Sequence, residues 1–158
     1  KEIRMRLSLA LEKLHTEVEG FRSPALGVSN NLFEVLSELG IIYDSSIPVT
    51  SPFYKSVEFS FPYKYPKYNL WEIPLTIQDD TFFRDVNLGE KSALKILVQF
   101  IEEIAELNGI SVINLHPHLM RYKTVFYKQL LSFLSKQNNL WICPTRDIIH
   151  FIRQKVKN

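Results

Sequence analysis

The sequence predicts an α/β fold on a parallel sheet, from three observations. Apolar strand-like runs alternate with amphipathic helical stretches in the order α-β-α-β-loop-β-α-β-α-β-α, the arrangement of strands joined by helical crossovers. The chain has 158 residues, 46% hydrophobic and 23% charged, enough to bury one core. The run Ile110 to His118, Ile-Ser-Val-Ile-Asn-Leu-His-Pro-His, reads as a β-branched strand after a glycine, ended by Pro117, which has no N–H for a ladder bond. That ending places His116 and His118 at the carboxyl end of a strand, where α/β sheets build their sites. The two imidazoles would share a face if extended backbone continued. The plain alternative is a satisfied core histidine beside a solvated loop residue. Five strands are expected, too few for a closed barrel of eight strands and ~250 residues. An open sheet leaves edges that need a cover.

In chain order, residues 2 to 17 carry Ile3, Leu7, Leu11 and Leu14 at helical spacing, with charges between them. No capping residue precedes that helix and the chain starts at Lys1, so an upstream segment is expected to be missing. Residues 18 to 24 read as a strand and its exit loop. Asn31, with Glu34 three residues on, is expected to cap a helix that Gly40 closes. Ile41 to Tyr43 is a brief strand before Asp44-Ser45-Ser46. Residues 47 to 69 hold four prolines and seven aromatic rings without helical or strand period. They are expected to form a long loop over one end of a barrel, several rings inward. Leu70 to Ile77 reads as a buried strand containing Trp71 and Pro74, with Asp79-Asp80 at its end. Asn87 is expected to cap a helix running to about Asn108, striped by Leu94, Leu97, Val98, Ile101 and Ile104. Tyr122 to Lys136 is another helix, Leu140 to Cys143 a strand stopped by Pro144, and Thr145 caps a last helix.

Composition excludes several classes. A formal net charge of +2 with no Lys/Arg run argues against nucleic acid or an anionic membrane as partner. Cys143 is the single cysteine, so no internal disulfide forms. No apolar run approaches the ~20 residues of a membrane-spanning helix, and no glycine-rich phosphate loop follows a strand.

Several segments together resemble one family. Gly20-Phe21-Arg22-Ser23-Pro24 is similar to the Arg-x-Pro motif of the polysaccharide deacetylases, the family 4 carbohydrate esterases. Leu39 to Ser46, ending Tyr-Asp-Ser-Ser, resembles the next strand of that family. Trp71-Glu72-Ile73-Pro74 with Asp79-Asp80 resembles the strand after it, and Leu115-His116-Pro117 the late histidine motif. Asn139-Leu140-Trp141, Thr145 and the final helix resemble the closing segment. The resemblance runs through the whole chain in order.

What it implies is a distorted partial β/α barrel that removes an N-acetyl group from an amino sugar, or hydrolyses a related amide. A divalent metal, usually zinc, activates water, an aspartate is general base, and a late histidine protonates the leaving amine. His116 would take that last role. Arg22 would pair with and orient the catalytic aspartate through its guanidinium fork. Asp44 would tune the histidine or line the site. Trp71 would wall the substrate pocket, with Pro24 and His118 also against substrate. The family's metal aspartate and two metal histidines belong to motifs upstream of the first helix. No metal ligand is therefore expected within this chain, and no hydrolysis by the chain alone. His15 has no second histidine at ligand spacing and is not substituted for them. Ala25 stands where many members carry an aromatic, and His-Pro-His replaces the commoner His-Asp. Two further functions compete: a carbohydrate-binding or structural relative that has lost its metal, and an amidase-like branch acting on a small amide. Expected partners are a glycan or amide substrate, and an upstream segment or second copy covering an open strand edge.

Overall fold

Residues 2–49 and 61–156 are described in a computed structural model of the chain. They fall into two units, each with its own strands and core.

The first unit takes Lys1–Ile47, Pro62–Pro74 and Cys143–Asn158. It holds α1 (Glu2–Leu14), β1 (Gly20–Phe21), a 3-10 turn (Pro24–Leu26), α2 (Asn30–Glu38), β2 (Tyr43–Asp44), β3 (Tyr63–Lys64), β4 (Trp71–Glu72) and, late in the chain, α6 (Thr145–Val156). The sheet order is β1-β2-β4-β3, parallel except for β3, which runs antiparallel to β4. Gly20, Tyr43 and Trp71 lie in one row across it, Phe21, Asp44 and Glu72 in the next. Side chains alternate along a strand, so the two rows face opposite sides. A Cβ at Gly20 would lie 2.0 Å from the Tyr43 ring, so the missing side chain lets that ring cross β1. Leu32, Phe33, Leu36, Ile41 and Leu70 form the core, with the Tyr65 ring 4.6 Å from that of Phe33.

The second unit takes Pro48–Phe61 and Leu75–Ile142. It holds β5 (Ile77–Gln78), a wide turn of π type (Thr81–Asp85), α3 (Glu90–Glu106), β6 (Ile113–Asn114), α4 (Pro117–Met120) and α5 (Thr124–Leu134). β5 and β6 are parallel neighbours, Ile77 opposite Ile113 and Gln78 opposite Asn114. Buried Thr76 extends the pair, its hydroxyl accepting from Val112 N and donating to Ile110 O. α3 lays Leu97, Phe100, Ile101 and Ile104 against Phe126, Tyr127 and Leu130 of α5. Phe83 meets Phe126 edge-on at 5.0 Å. The Glu90 carboxylate accepts from Phe126 N at 2.7 Å, tying the start of α5 to α3.

The fold is mixed α/β, as expected; the described strands form two sheets of four and two, and a barrel is not shown. Several finer expectations are corrected. The run Leu70 to Ile77 divides into β4 and β5, with Pro74, which cannot donate a ladder bond, between them. Leu140 to Cys143 forms no strand; Leu140 packs against the second core, but Trp141 and Ile142 are exposed. α2 is capped by Ser29, whose hydroxyl accepts from Leu32 N, rather than by Asn31. Gly40 closes it in the left-handed region (φ 80°), as expected. Gly89, not Asn87, occupies the cap position of α3. Of the aromatic stretch, residues 50–60 lie outside the described residues. Within the rest, Tyr65 and Tyr68 pack on Phe33 while Phe61 and Tyr63 are exposed, and β3 makes an unforeseen strand.

Candidate functional site

His116 emerges at the carboxyl end of β6 and Asp79 at the carboxyl end of its parallel neighbour β5. Parallel pairing brings both to the same end, the position in which open α/β sheets build sites. Pro117 then starts α4, so His118 leaves the extended path and is exposed. Its ring stays 5.5 Å from that of His116, edge to face.

Asp79 is 1% exposed and collects three hydrogen bonds. His116 Nδ1 lies 2.5 Å from Oδ1, His116 N donates to Oδ2 at 2.7 Å, and the buried Tyr127 hydroxyl donates to Oδ2 as well. A carboxylate facing Nδ1 fixes the proton there, because a carboxylate only accepts. Nε2 is thereby the nitrogen left to give or take a proton, and the His116 side chain is 29% exposed. Burial and the Asp79 carboxylate push the Tyr127 hydroxyl far above its ordinary range, so it stays a donor. The imidazole is thus held by a buried carboxylate, which the Tyr127 hydroxyl holds in turn.

Asp80, the next residue, binds Arg84 through Oδ2 at 2.9 Å, and its buried Oδ1 has no partner among the described residues. One ligand atom each from Asp79, Asp80 and His116 lies within 4.8 Å of the others, close enough to share a cation. The donor set does not fit a hydrolytic zinc. Such a site holds separate ligands at ~2.0–2.2 Å from the ion, whereas Asp79 Oδ1 and His116 Nδ1 are bonded to one another. Asp79 Oδ2 already accepts twice.

The remaining sequence-predicted residues belong to the first unit. Half-buried Arg22 follows β1; Nε donates to Ser45 O and Nη2 to Ser45 Oγ, both at 2.8 Å. Pro24 is exposed and opens the 3-10 turn, in which Ala25 and Leu26 take left-handed φ of 52° and 56°. Non-glycine residues seldom adopt that region, and such strain gathers near functional segments. Trp71 is half-buried in the row with Tyr43. Asp44 changes role. It is fully buried with its carboxyl turned to Ser46 and Glu72, and the carboxylate that meets His116 is Asp79.

A crystal structure from Mycobacterium smegmatis, provisionally assigned as a polysaccharide deacetylase, superposes on 98% of this chain with a TM-score of 0.75 at 18% identity. The chain has that fold. It spans 56% of the length of that protein. No family model and no curated sequence matches the chain. At this identity the deacetylase-like fold is what is shared; residue roles are argued from the geometry above.

Asp79, Tyr127 and Glu72 are the residues that sequence reasoning left without a role. Asp79 had a signal, an acidic pair directly after an apolar strand. Glu72 had one too, a charge between Trp71 and Ile73 in a run otherwise fit for burial. Tyr127 had none, since on α5 it reads as one more core aromatic.

Proposed function

We propose that this chain is part of a hydrolase that removes N-acetyl groups from the amino sugars of a glycan, with His116 as the acid that protonates the leaving amine. The observation that carries this reading is the Asp79–His116 pair at the carboxyl ends of β5 and β6. Breaking an amide requires a proton on the departing nitrogen, because an unprotonated amine anion is too basic to leave. A positioned imidazole supplies that proton, worth about 10²–10⁴ in rate. Asp79 orients the ring and balances the imidazolium charge, and Tyr127 orients Asp79. In the first unit Arg22 acts as the guanidinium that aligns a carboxylate, with Trp71 and Pro24 as its substrate-facing residues; in the second, His118 stands beside His116 as a substrate contact. The deacetylase-like fold supports the same class.

The divalent ion implied by the resemblance, zinc by the family's habit, rests in this reading on ligands beyond the described residues. No described helix is long and apolar enough to cross a membrane. The test is acetate release from N-acetylated chito-oligosaccharides, with added zinc or cobalt, by the 158-residue chain and by a version extended upstream in its gene. The extended protein is expected to release acetate and to lose about a hundredfold or more on His116→Ala. Release that ignores His116→Ala refutes the role of His116. Release by the short chain alone refutes the placement of the metal ligands.

A further inference from the structure

Asp44 and Glu72 are register partners on β2 and β4, pointing to the same face of the sheet, and both are completely buried. Register pairing on neighbouring strands sets the two carboxyls side by side on that face. Asp44 also accepts from Ser46 N at 3.1 Å and Ser46 Oγ at 2.8 Å. Glu72 accepts from Ile47 N and from the Tyr65 hydroxyl, each at 3.0 Å. The donors named here are neutral. Two ionised carboxylates in contact without water repel strongly, and a hydrogen bond between them needs a proton on one.

We propose that Asp44 and Glu72 share a single proton, and that this shared proton latches the turn Asp44–Ser46 and so holds Arg22 in place. The chain of contacts is continuous. Glu72 accepts from Ile47 N at the end of the turn and stands beside its register partner Asp44 at the start. Asp44 grips Ser46, and Ser46 Oγ accepts from Ser23 N at 2.8 Å, next to Arg22. Ser45, held between them, accepts two hydrogen bonds from the Arg22 guanidinium. Glu72 is thus a positioning residue acting through the turn.

The charge balance places the proton on Glu72. Burial, then the facing Asp44, pushes Glu72 up to about 8, and burial also raises Asp44. The titratable groups facing the pair are Arg22 after β1 and Tyr63 and Tyr65 on and after β3. Burial holds both tyrosines above their usual range, so they remain neutral across the window in question. An acid raised on folding binds more protons folded than unfolded. Its stabilisation is complete below the ordinary glutamate value and is lost as pH rises toward about 8.

The experiment is equilibrium denaturation of the chain from pH 5 to 9, beside Glu72→Gln, with Arg22 Nε–H followed by NMR at each pH. Glutamine keeps an amide donor toward Asp44 at every pH, and the Tyr65 hydroxyl can turn to accept from it. The wild type is expected to lose up to about tenfold in folding equilibrium constant per pH unit more than Glu72→Gln. The Arg22 signal should broaden at pH 9 in the wild type and persist in Glu72→Gln. Identical pH slopes in the two proteins overturn the proposal, as does an Arg22 signal indifferent to the substitution. If Glu72→Gln does not fold, ¹³C-carboxyl NMR of the wild type decides. One carboxyl still protonated at pH 7 supports the latch, and two groups titrating in the ordinary range overturn it. Only the step from Arg22 to activity rests on the function proposed above. Latch readouts that move while deacetylation does not would refute the role of Arg22 and leave the latch.

Discussion

Replacing Asp79 by Asn alters one atom of the side chain and almost none of its volume, yet it should separate stability from activity. In the parent, one carboxylate serves three donors: His116 Nδ1, His116 N and the Tyr127 hydroxyl. In the variant the amide oxygen can keep the two donors now on Oδ2, while the amide nitrogen faces Nδ1. Nδ1 must then accept, and the ring proton moves to Nε2. All three contacts survive, each changed from charged to neutral. Hydrogen bonds to charged groups are worth about 1.5–3 kcal/mol and neutral ones about 0.5–1.5 kcal/mol, partly offset because a buried charge disappears. The net stability loss should be about 1–2 kcal/mol. In the deacetylase proposed above, activity should fall much further. A doubly protonated ring would point its Nδ1–H at an amide N–H, so the acid form is lost, costing about 10²–10⁴ in kcat. The assay is acetate release by the extended protein beside a urea denaturation curve. A folded Asp79→Asn enzyme within about threefold of the parent kcat, under 1 kcal/mol of barrier, would refute the orienting role of Asp79.

Other expectations concern stability and are read from denaturation midpoints. Tyr127→Phe removes a donor to a buried carboxylate and should cost about 1.5–3 kcal/mol; no shift would mean that the hydroxyl does not bond Asp79. Phe126→Ala empties a site that is 0% exposed between α3, α5 and the turn Thr81–Asp85, and should cost about 3–5 kcal/mol. Ser29→Ala should cost about 1 kcal/mol as the cap of α2. Asn31→Ala, at an exposed position, should stay within about 0.5 kcal/mol, and the reverse order would restore Asn31 as the cap.

Much of the architecture was legible because it depends on local periodicity. The helical stripes of α2, α3, α5 and α6 repeat with the turn, so their existence and approximate ends follow from neighbours three and four residues apart. Gly40 could be placed because a left-handed helix end nearly requires glycine. His116 was visible as a functional candidate because a proline ends its strand. The caps were less legible, since Ser29 and Asn31 are both good caps and differ only in where the chain turns.

What stayed hidden depends on pairings distant in sequence. A two-residue strand such as β3 has too few residues to show a period, and its existence rests on β4 lying alongside. The apolar run from Leu70 to Ile77 could not reveal that its two ends join different strand partners. Asp79 meets His116 across 37 residues and Tyr127 across 48, and Asp44 meets Glu72 through strand register. A carboxylate's chemistry is set by the donors and water around it, and those neighbours exist only once the strands have paired. The residue types and helical spacing were therefore readable along the chain, while the partner of each buried charge followed from which strand ends the fold brought together.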